Sequence, residues 1–268
     1  MINMDHNLHR VLILSGGSSG IGKATAELFA NKGFAVYELS RSGSSSSGIC
    51  HLNCDVTDEA QVVSAVQEVI CKEGRVDILI SNAGYGISGA VEFTATADAK
   101  RQFDVNFFGA LNVVKAVLPQ MRLQHCGRIV FTSSVAAVLS IPYQSFYSAS
   151  KSAVNALALA LRNEVSSFGI TVTAVMPGDV STGFTAARDK SVAGEEVYTR
   201  LRRAVEAMEK DERNGMTPQY IARVLYKASV CGNPKPLYTA GWQYRIFVLL
   251  EKILPKRMSN WIVGLLYR

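Results

Sequence analysis

The chain has 268 residues, of which 48% are hydrophobic and 19% are charged, so it can bury a large core and is not an intrinsically disordered protein. Its length suits one large α/β domain or two small ones. The net charge is +6, and residues 235–268 supply +5 of it through six cations against Glu251. Because the rest of the chain is nearly balanced, we expect no nucleic-acid partner, and the basic tail favours a membrane surface instead.

The amino terminus and the cysteines indicate the cellular compartment in which the protein folds. The polar lead before Val11 has neither the apolar stretch nor the cleavage site of a signal peptide, so we expect a cytoplasmic protein. The cysteines are odd in number and follow no thiol-pair motif, which indicates reduced thiols. Cys50, His51 and Cys54 could form a small metal cluster, but only three ligands are close in sequence, and we predict no metal site.

The first predicted unit is a strand, a glycine-rich turn and a helix. Residues 11–14 form a continuous apolar run that is typical of a buried parallel strand, and the helix is predicted over residues 21–32. Between them, Gly16, Gly20 and Gly22 follow the spacing G-x-x-x-G-x-G. Such glycines let the backbone turn tightly and approach a pyrophosphate at the helix amino terminus. We therefore predict a dinucleotide site, although a plain glycine loop would have the same composition.

The second predicted strand, residues 35–39, bears on the choice of cofactor. Sites for a dinucleotide without a ribose phosphate usually place a carboxylate after this strand, whereas here it ends in Ser40-Arg41-Ser42. Arg41 can bind a 2′-phosphate through two hydrogen bonds, so we predict NADP(H) as the preferred cofactor and NAD(H) as the alternative. The other interpretation is a solvated arginine at the start of a flexible, serine-rich loop over residues 42–48.

Further predicted strands alternate with helices along the chain. They cover residues 49–52, 78–80, 128–132, 171–176 and 236–240. This alternation predicts a Rossmann-like α/β fold, a doubly wound parallel sheet in a single domain, with ligands at the carboxyl ends of the strands. Besides the glycine turn, three distinctive turns lie at such ends, and they are Asn82-Ala83-Gly84, Ser133-Ser134 and Pro177-Gly178. We therefore expect them to form one site.

Two predicted helices carry polar residues that are candidates for a catalytic role. In a helix predicted over residues 147–168, Tyr147 and Lys151 are four positions apart and share one face, so the ammonium could lower the pKa of the phenol. The alternative is an ordinary surface pair. In a helix predicted over residues 96–123, Asn106 stands among apolar residues and is either exposed or a buried polar group.

Taken in order, these motifs resemble the short-chain dehydrogenase/reductase family over residues 9–241. Ser15 stands where threonine is usual, and Ser81 where a first asparagine often precedes Asn82; both keep a small polar side chain. The resemblance implies a catalytic tetrad of Asn106, Ser134, Tyr147 and Lys151. It also implies a cofactor site made of Gly16, Ser18, Gly20, Ile21, Gly22, Arg41, Asp55, Val56, Asn82, Ala83, Gly84, Tyr147, Lys151, Pro177, Gly178, Val180 and Thr182.

The resemblance assigns roles to these residues. Asp55 would contact the adenine, Asn82 the adenosine ribose side, and Val180 and Thr182 the carboxamide of the nicotinamide. In reduction, Tyr147 would donate a proton to the carbonyl oxygen while Ser134 hydrogen-bonds the same oxygen. Lys151 would lower the pKa of Tyr147 and bind the nicotinamide ribose, and Asn106 would anchor a water that relays protons to Lys151.

After these motifs come a predicted substrate lid and a tail. The lid covers about residues 179–215, with a helix over residues 195–209 and four candidate apolar contacts, which are Phe184, Val192, Val197 and Tyr198. Thr217 is predicted to cap the next helix, with Pro218 at its first position. The tail, residues 242–268, contains two short, apolar and basic helical segments separated by Pro255. Neither can span a bilayer, so they either lie in a membrane interface or cover the pocket or an oligomer face.

Such a tail resembles the hydroxysteroid dehydrogenase, retinol dehydrogenase and acyl-dihydroxyacetone-phosphate reductase branches of the family. This resemblance implies an NADP(H)-dependent oxidoreductase that interconverts an apolar ketone and a secondary alcohol of steroid, retinoid or lipid type. It also implies a homodimer or homotetramer, in the cytoplasm or peripheral at a membrane surface. The alternatives are a 3-oxoacyl thioester reductase and a non-catalytic NADPH-binding regulator, although a pure binder would have no need for Ser134.

Overall fold

A seven-stranded parallel sheet forms the centre of the computed structural model, which describes residues 10–267. Its strands are β1 (Val11–Ser15), β2 (Ala35–Ser40), β3 (Ile49–Asn53), β4 (Ile78–Ser81), β6 (Gly127–Thr132), β7 (Ile170–Pro177) and β9 (Leu237–Ala240). Two short strands, β5 (Ile87–Ser88) and β8 (Asp189–Lys190), pair with each other in parallel. The order within the large sheet is β3-β2-β1-β4-β6-β7-β9, which confirms the predicted doubly wound fold in a single domain.

Helices connect and cover the strands. They are α1 (Gly20–Ala30), α2 (Glu59–Glu73), α3 (Thr96–Phe103), α4 (Gly109–Leu123), α5 (Ser145–Glu164), α6 (Phe184–Ala187), α7 (Leu201–Arg213), α8 (Pro218–Val230), α9 (Trp242–Ile253) and α10 (Lys256–Leu266). Thr217 caps α8 as predicted, because its hydroxyl accepts a hydrogen bond from the Tyr220 amide at 3.3 Å. The polar lead of residues 1–9, on which the export prediction partly rests, lies outside the described residues.

Alternation along β1 shows how the sheet is buried on both faces. Val11 and Ile13 belong to one core with side chains of α2, α4 and α5, whereas Leu12 and Leu14 belong to a second core with side chains of α1 and α8. Successive strand residues point to opposite faces, so the two cores lie on opposite sides of the sheet. All five residues of β1 are buried, which explains why the strand reads as a continuous apolar run.

The strand order reverses between β1 and β4. The chain builds β1, β2 and β3 towards one edge, then crosses through α2 to pair β4 with the other side of β1, with Ser15 opposite Ser81. At such a reversal the loops after the two strands run in opposite directions and leave a crevice between them. The glycine turn after β1 and the Asn82-Ala83-Gly84 turn after β4 therefore border this crevice.

Two helical predictions need correction. The helix predicted over residues 96–123 is interrupted by a π-helical turn, Asp104–Phe108, which contains Asn106. The lid helix predicted over residues 195–209 is α7, which begins at Leu201 and ends at Arg213. Gly194 has a positive φ of 81° and packs closely on the ring of Phe93, so the following residues form turns before the helix can start.

The tail forms two helices, as the sequence predicts. In α9, Tyr244 packs against the Pro177-Gly178 turn, and Val248 joins a small core with Val135 and Met176. Across residues 10–267, none of the helices combines the length and the apolar character that crossing a bilayer requires.

Candidate active site

The carboxyl ends of β1, β4, β6 and β7 open into one cleft of about 970 Å³. All but two of the residues predicted for the cofactor and the tetrad line it. The exceptions are Gly22 and Asn106, which lie directly behind the lining: Gly22 packs on the carbonyl of Gly16, and the Asn106 side chain approaches Gly84. The four distinctive turns of the sequence thus meet at a single cleft.

Close packing joins the first two turns. Gly16 has a φ of 69°, and a Cβ on it would come within 2.8 Å of the Ala83 Cα, so only glycine fits. The Asn82 side-chain amide donates to the Gly16 carbonyl at 3.0 Å. Ser15 Oγ accepts from the amides of Asn82 at 3.0 Å and Ala83 at 3.2 Å, so a serine hydroxyl suffices to bridge the two turns.

The amino terminus of α1 is free to meet an anion. Ser19 precedes the helix without capping it through its side chain, and the first turn holds no acidic residue. Ser18, Ser19, Gly20 and Ile21 all line the cleft here. Unpaired amides and the helix dipole favour a phosphate in such a position. The glycine-rich turn after β1 and the amino terminus of α1 together form a phosphate cradle, which fits the pyrophosphate of a dinucleotide.

The end of β2 supplies the residues that would meet an adenosine phosphate. Ser40, Arg41 and Ser42 line the cleft, and Arg41 is exposed and forms no ion pair with any residue from 10 to 267. The carboxylate of β2, Glu38, is buried against His51 Nδ1 and the Ser40 hydroxyl and does not line the cleft. No carboxylate of β2 is thus placed to repel a 2′-phosphate.

Asp55 and Thr182 complete the border of the cofactor region. Asp55 lines the cleft, and one of its carboxylate oxygens accepts from the amide and the hydroxyl of Thr57, which leaves the other oxygen open. Thr182 lies 3.4 Å from the position of a Cβ on Gly20, so it faces the glycine turn across the cleft. Among residues 10–267, no three metal-ligating side chains come together, and His51 contacts Glu38 rather than Cys50 or Cys54.

Ser134, Tyr147 and Lys151 meet in the middle of the cleft. Tyr147 and Lys151 lie one turn apart on α5, and the Lys151 Nζ is 5.9 Å from the centroid of the Tyr147 ring. The ammonium of Lys151 is buried and donates to the carbonyl of Thr132, in β6, at 2.9 Å. The Ser134 hydroxyl, just beyond the end of β6, lies near the Tyr147 hydroxyl, and its Oγ accepts from the Ala136 amide at 3.1 Å. The pair is therefore part of a built site and not an ordinary surface pair.

Asn106 is a buried polar group that fixes the turn after β4. Its Oδ1 accepts from the Tyr85 amide, and its Nδ2 donates to the Tyr85 carbonyl and to Ser150 Oγ, each at 3.0 Å. A Cβ on Gly84 would lie 3.0 Å from Asn106 Oδ1 and 3.4 Å from Lys151 Nζ. The missing side chain of Gly84 therefore leaves the approach to Lys151 open. A π-turn at this point is common where a helix carries a functional residue.

The acidity of Tyr147 differs from the sequence-based expectation. Removal of its hydroxyl from water raises the pKa of Tyr147 to about 12, against the opposing effect of the nearby Ser134 hydroxyl. Burial likewise lowers the pKa of Lys151 to about 8, which still leaves the ammonium as its main form near neutral pH. The net shift of the Tyr147 pKa is thus upward, opposite to the direction that the sequence predicts, because desolvation dominates.

Carboxylates in the substrate half of the cleft were not predicted. Asp179 accepts a hydrogen bond from Tyr244 of the tail at 2.5 Å, and burial raises its pKa. Glu212 of α7 accepts from Thr185 at 2.6 Å and pairs with Arg188. The position of Asp179, directly after Pro177-Gly178 at a strand end, was a usable signal, whereas nothing in the sequence pattern indicates that Glu212 lines the same cleft.

Of the four apolar contacts predicted for the lid, one lines the cleft and three do not. Phe184 lines the cleft, with its ring centroid 5.7 Å from that of Tyr147. Val192 and Val197 are exposed and do not line it, and Tyr198 instead donates to Glu92 at 2.9 Å, because the turns around Gly194 pack on Phe93. Tyr267, near the chain end, lines the cleft although no sequence signal pointed to it.

Comparison with known proteins agrees with this geometry. Residues 10–193 match the family model for short chain dehydrogenase. The chain is 38% identical over 263 residues to 3-ketodihydrosphingosine reductase of Bacteroides thetaiotaomicron, covering 96% of this chain and 98% of that protein.

Two solved structures share the fold. ElxO with NADP bound has a TM-score of 0.76 and 25% identity, covering 89% of this chain and all of that chain. A short chain dehydrogenase/reductase from Burkholderia phymatum, in complex with NAD, has a TM-score of 0.79 and 24% identity over 90% of this chain and 92% of that one. With its matched motifs, sheet order and cleft, the chain belongs to the short-chain dehydrogenase/reductase family and is an oxidoreductase acting on alcohol and ketone groups.

Proposed function

We propose that the protein reduces a long-chain ketone that carries an amine beside the carbonyl, with NADPH as the reductant. The observation that carries this proposal is a carboxylate, Asp179, in the same cleft as the Tyr147 hydroxyl. The relative from B. thetaiotaomicron is named for 3-ketodihydrosphingosine, a compound with a long alkyl chain and an ammonium group next to its ketone. Its chemistry matches a cleft that offers a proton donor and a carboxylate.

Charge in the substrate half supports a cationic ligand. Glu212 is paired with Arg188, so that carboxylate is largely compensated. Among residues 10–267, the Asp179 side chain has the neutral Tyr244 hydroxyl as its hydrogen-bond partner. Desolvation, Glu212 and Asp211 raise its pKa, whereas that hydrogen bond and the charge of Arg188 lower it. A substrate ammonium would compensate Asp179, whereas a phosphate would be repelled and a steroid or retinoid would leave it unpaired. This favours an amino ketone over the other lipid carbonyls that the tail suggests.

The proposed chemistry uses the groups that the cleft brings together. The bound cofactor supplies a hydride to the carbonyl carbon. Tyr147, kept protonated by its raised pKa, donates its proton to the oxygen, and Ser134 hydrogen-bonds the same oxygen as negative charge develops there. Lys151, facing the gap at Gly84, would hold the nicotinamide ribose, and Asn106 keeps the neighbouring turn in place. A water relay through Asn106 stays a prediction.

For the cofactor we propose a preference for NADPH. Its support is Arg41, exposed and without an ion-pair partner among the described residues, beside two serines at the end of β2. The predicted lid over residues 179–215, the homodimer or homotetramer and the cytoplasmic location stay predictions.

Substitution Tyr147→Phe tests the proton donor. The phenylalanine keeps the ring contact with Phe184 but cannot protonate the oxygen, so we expect kcat to fall by about 10²- to 10⁴-fold while NADPH affinity stays within about twofold. NADPH oxidation and equilibrium NADPH binding measure the two effects. Tyr198→Phe, outside the cleft, is the matched control and should keep full activity. Undiminished kcat in Tyr147→Phe would rule out this donor.

Substitution Arg41→Ala tests the cofactor preference. Loss of a charged hydrogen-bonding partner should raise KM for NADPH by about 10- to 100-fold and leave KM for NADH unchanged. Steady-state kinetics with both cofactors provide the measurement, and Arg223→Ala, an exposed arginine on α8, is the control. A wild-type preference for NADH, or an equal loss with both cofactors, would contradict the role of Arg41.

Substitution Asp179→Asn tests recognition of the amine. Asparagine can still accept the Tyr244 hydrogen bond but carries no charge, so kcat/KM for the amino ketone should fall by about 10- to 100-fold. A ketone of equal chain length without the amine should be reduced by wild type and variant at the same rate. Glu206→Gln, at an exposed carboxylate of α7 outside the cleft lining, is the control. An equal loss with both ketones would show that Asp179 has another role.

A further inference from the structure

The tail helices present an apolar face on their outer side as well as on their inner side. In α9, Tyr244, Val248 and Glu251 turn inward at helical spacing. The outer stripe also follows helical spacing and is exposed, and it consists of Trp242, Ile246, Leu249, Leu250 and Ile253. A surface helix normally places polar residues on the side away from the core, so this second stripe calls for a partner.

The second tail helix continues the outer surface. In α10, Ser259 and Val263 are buried, whereas Met258, Trp261 and Leu265 are exposed at spacings of three and four residues. We define the tail face as the exposed apolar residues of both helices: Trp242, Ile246, Phe247, Leu249, Leu250, Ile253, Met258, Trp261, Leu265 and Leu266. Each of them is at least 38% exposed in the structure.

Positive charge borders the tail face. Arg245, Lys252 and Arg257 are exposed beside the apolar stripes. The acidic residue of this segment, Glu251, is largely buried and pairs with Lys256. Apart from Gln243 and Asn260, the exposed side chains of α9 and α10 are therefore apolar or cationic, the combination that binds an interface between anionic headgroups and acyl chains.

We propose that the tail face docks on an anionic lipid bilayer, with the axes of α9 and α10 lying in the interface. A second copy of the chain is a poorer occupant. In a two-fold symmetric contact the same patch meets itself, so Arg245, Lys252 and Arg257 of both copies would enter one interface without an exposed carboxylate in the patch to compensate them. Anionic headgroups provide that compensation, while the acyl region accepts the apolar stripe.

The docked orientation would bring the cleft close to the bilayer. Tyr267, directly after α10, lines the cleft, and Tyr244 of α9 binds Asp179 and packs on Gly178 at its border. The inner side of the tail thus forms part of the cleft, while its outer side forms the tail face. An apolar substrate dissolved in the bilayer could then reach the cleft without crossing bulk water. The docking itself does not rest on the proposed function, because the tail face exists whatever the substrate is.

Both tryptophans of the chain, Trp242 and Trp261, lie on the tail face and are 69% and 59% exposed, so their fluorescence reports on this surface alone. We expect a blue shift and cosedimentation when the full-length protein meets phosphatidylcholine vesicles that contain about one third phosphatidylglycerol, and much weaker binding to phosphatidylcholine alone. Added salt of about 0.5 M should weaken the binding, since it screens the cationic border.

Substitutions localise the contact. Ile253→Glu places a charge on the outer stripe and should lower the vesicle partition coefficient at least about tenfold. Leu123→Glu, an equally drastic change at the exposed end of α4, should leave it unchanged. Turnover of a short, water-soluble amino ketone should be the same in Ile253→Glu and wild type, so loss of docking can be told apart from failure of the proposed reaction.

Three results would overturn the proposal. One is the absence of a blue shift and of cosedimentation with anionic vesicles. Another is vesicle binding that Ile253→Glu leaves intact. The third is sedimentation of the wild type as a dimer that Ile253→Glu dissociates, which would identify a second copy of the chain as the occupant of the tail face.

Discussion

The close contact between the turns after β1 and β4 is the constraint on which the site depends. Gly16 approaches Ala83 so closely that no side chain fits, and Asn82 and Ser15 hydrogen-bond across the junction. This contact fixes the phosphate cradle relative to the next turn, where Gly84 leaves space in front of Lys151. Because both turns follow strands of one rigid sheet, a cofactor bound in the cradle would meet the catalytic groups in a defined orientation.

Burial then sets the protonation of the reacting groups. Desolvation raises the pKa of Tyr147, which keeps the phenol neutral, and lowers the pKa of Lys151 to about 8, where the ammonium is still the main form near neutral pH. A neutral phenol is the form that a reductase needs, since the proton must be present when the alkoxide develops. In the substrate half, burial raises the pKa of Asp179, and its side chain accepts a hydrogen bond from the neutral Tyr244 hydroxyl. The proposed preference for an amino ketone rests on this residue.

Sequence reasoning reached the sheet and the cofactor side because both depend on local patterns. The apolar run of β1, the glycines after it and the spacing of Tyr147 and Lys151 each have a direct structural meaning, and the structure brings them into one cleft. The π-turn at Asn106 was missed because it has no distinct composition, and the pKa of Tyr147 was misjudged because desolvation depends on tertiary packing. Glu212 and Tyr267 reach the cleft only through the packing of α7 and of the tail.

The tail helices contribute to both the cleft and the surface, since their inner side borders the cleft and their outer side is apolar and cationic.

The central claim is reduction of an amino ketone by hydride transfer in this cleft. Its most direct test is the reaction of purified full-length protein with 3-ketodihydrosphingosine and NADPH deuterated at C4, followed by mass spectrometry of the product. The account predicts an amino alcohol with one deuterium on the carbon that bears the new hydroxyl, from one of the two C4 epimers of the cofactor. Absence of product, or product without deuterium from either epimer, would contradict it.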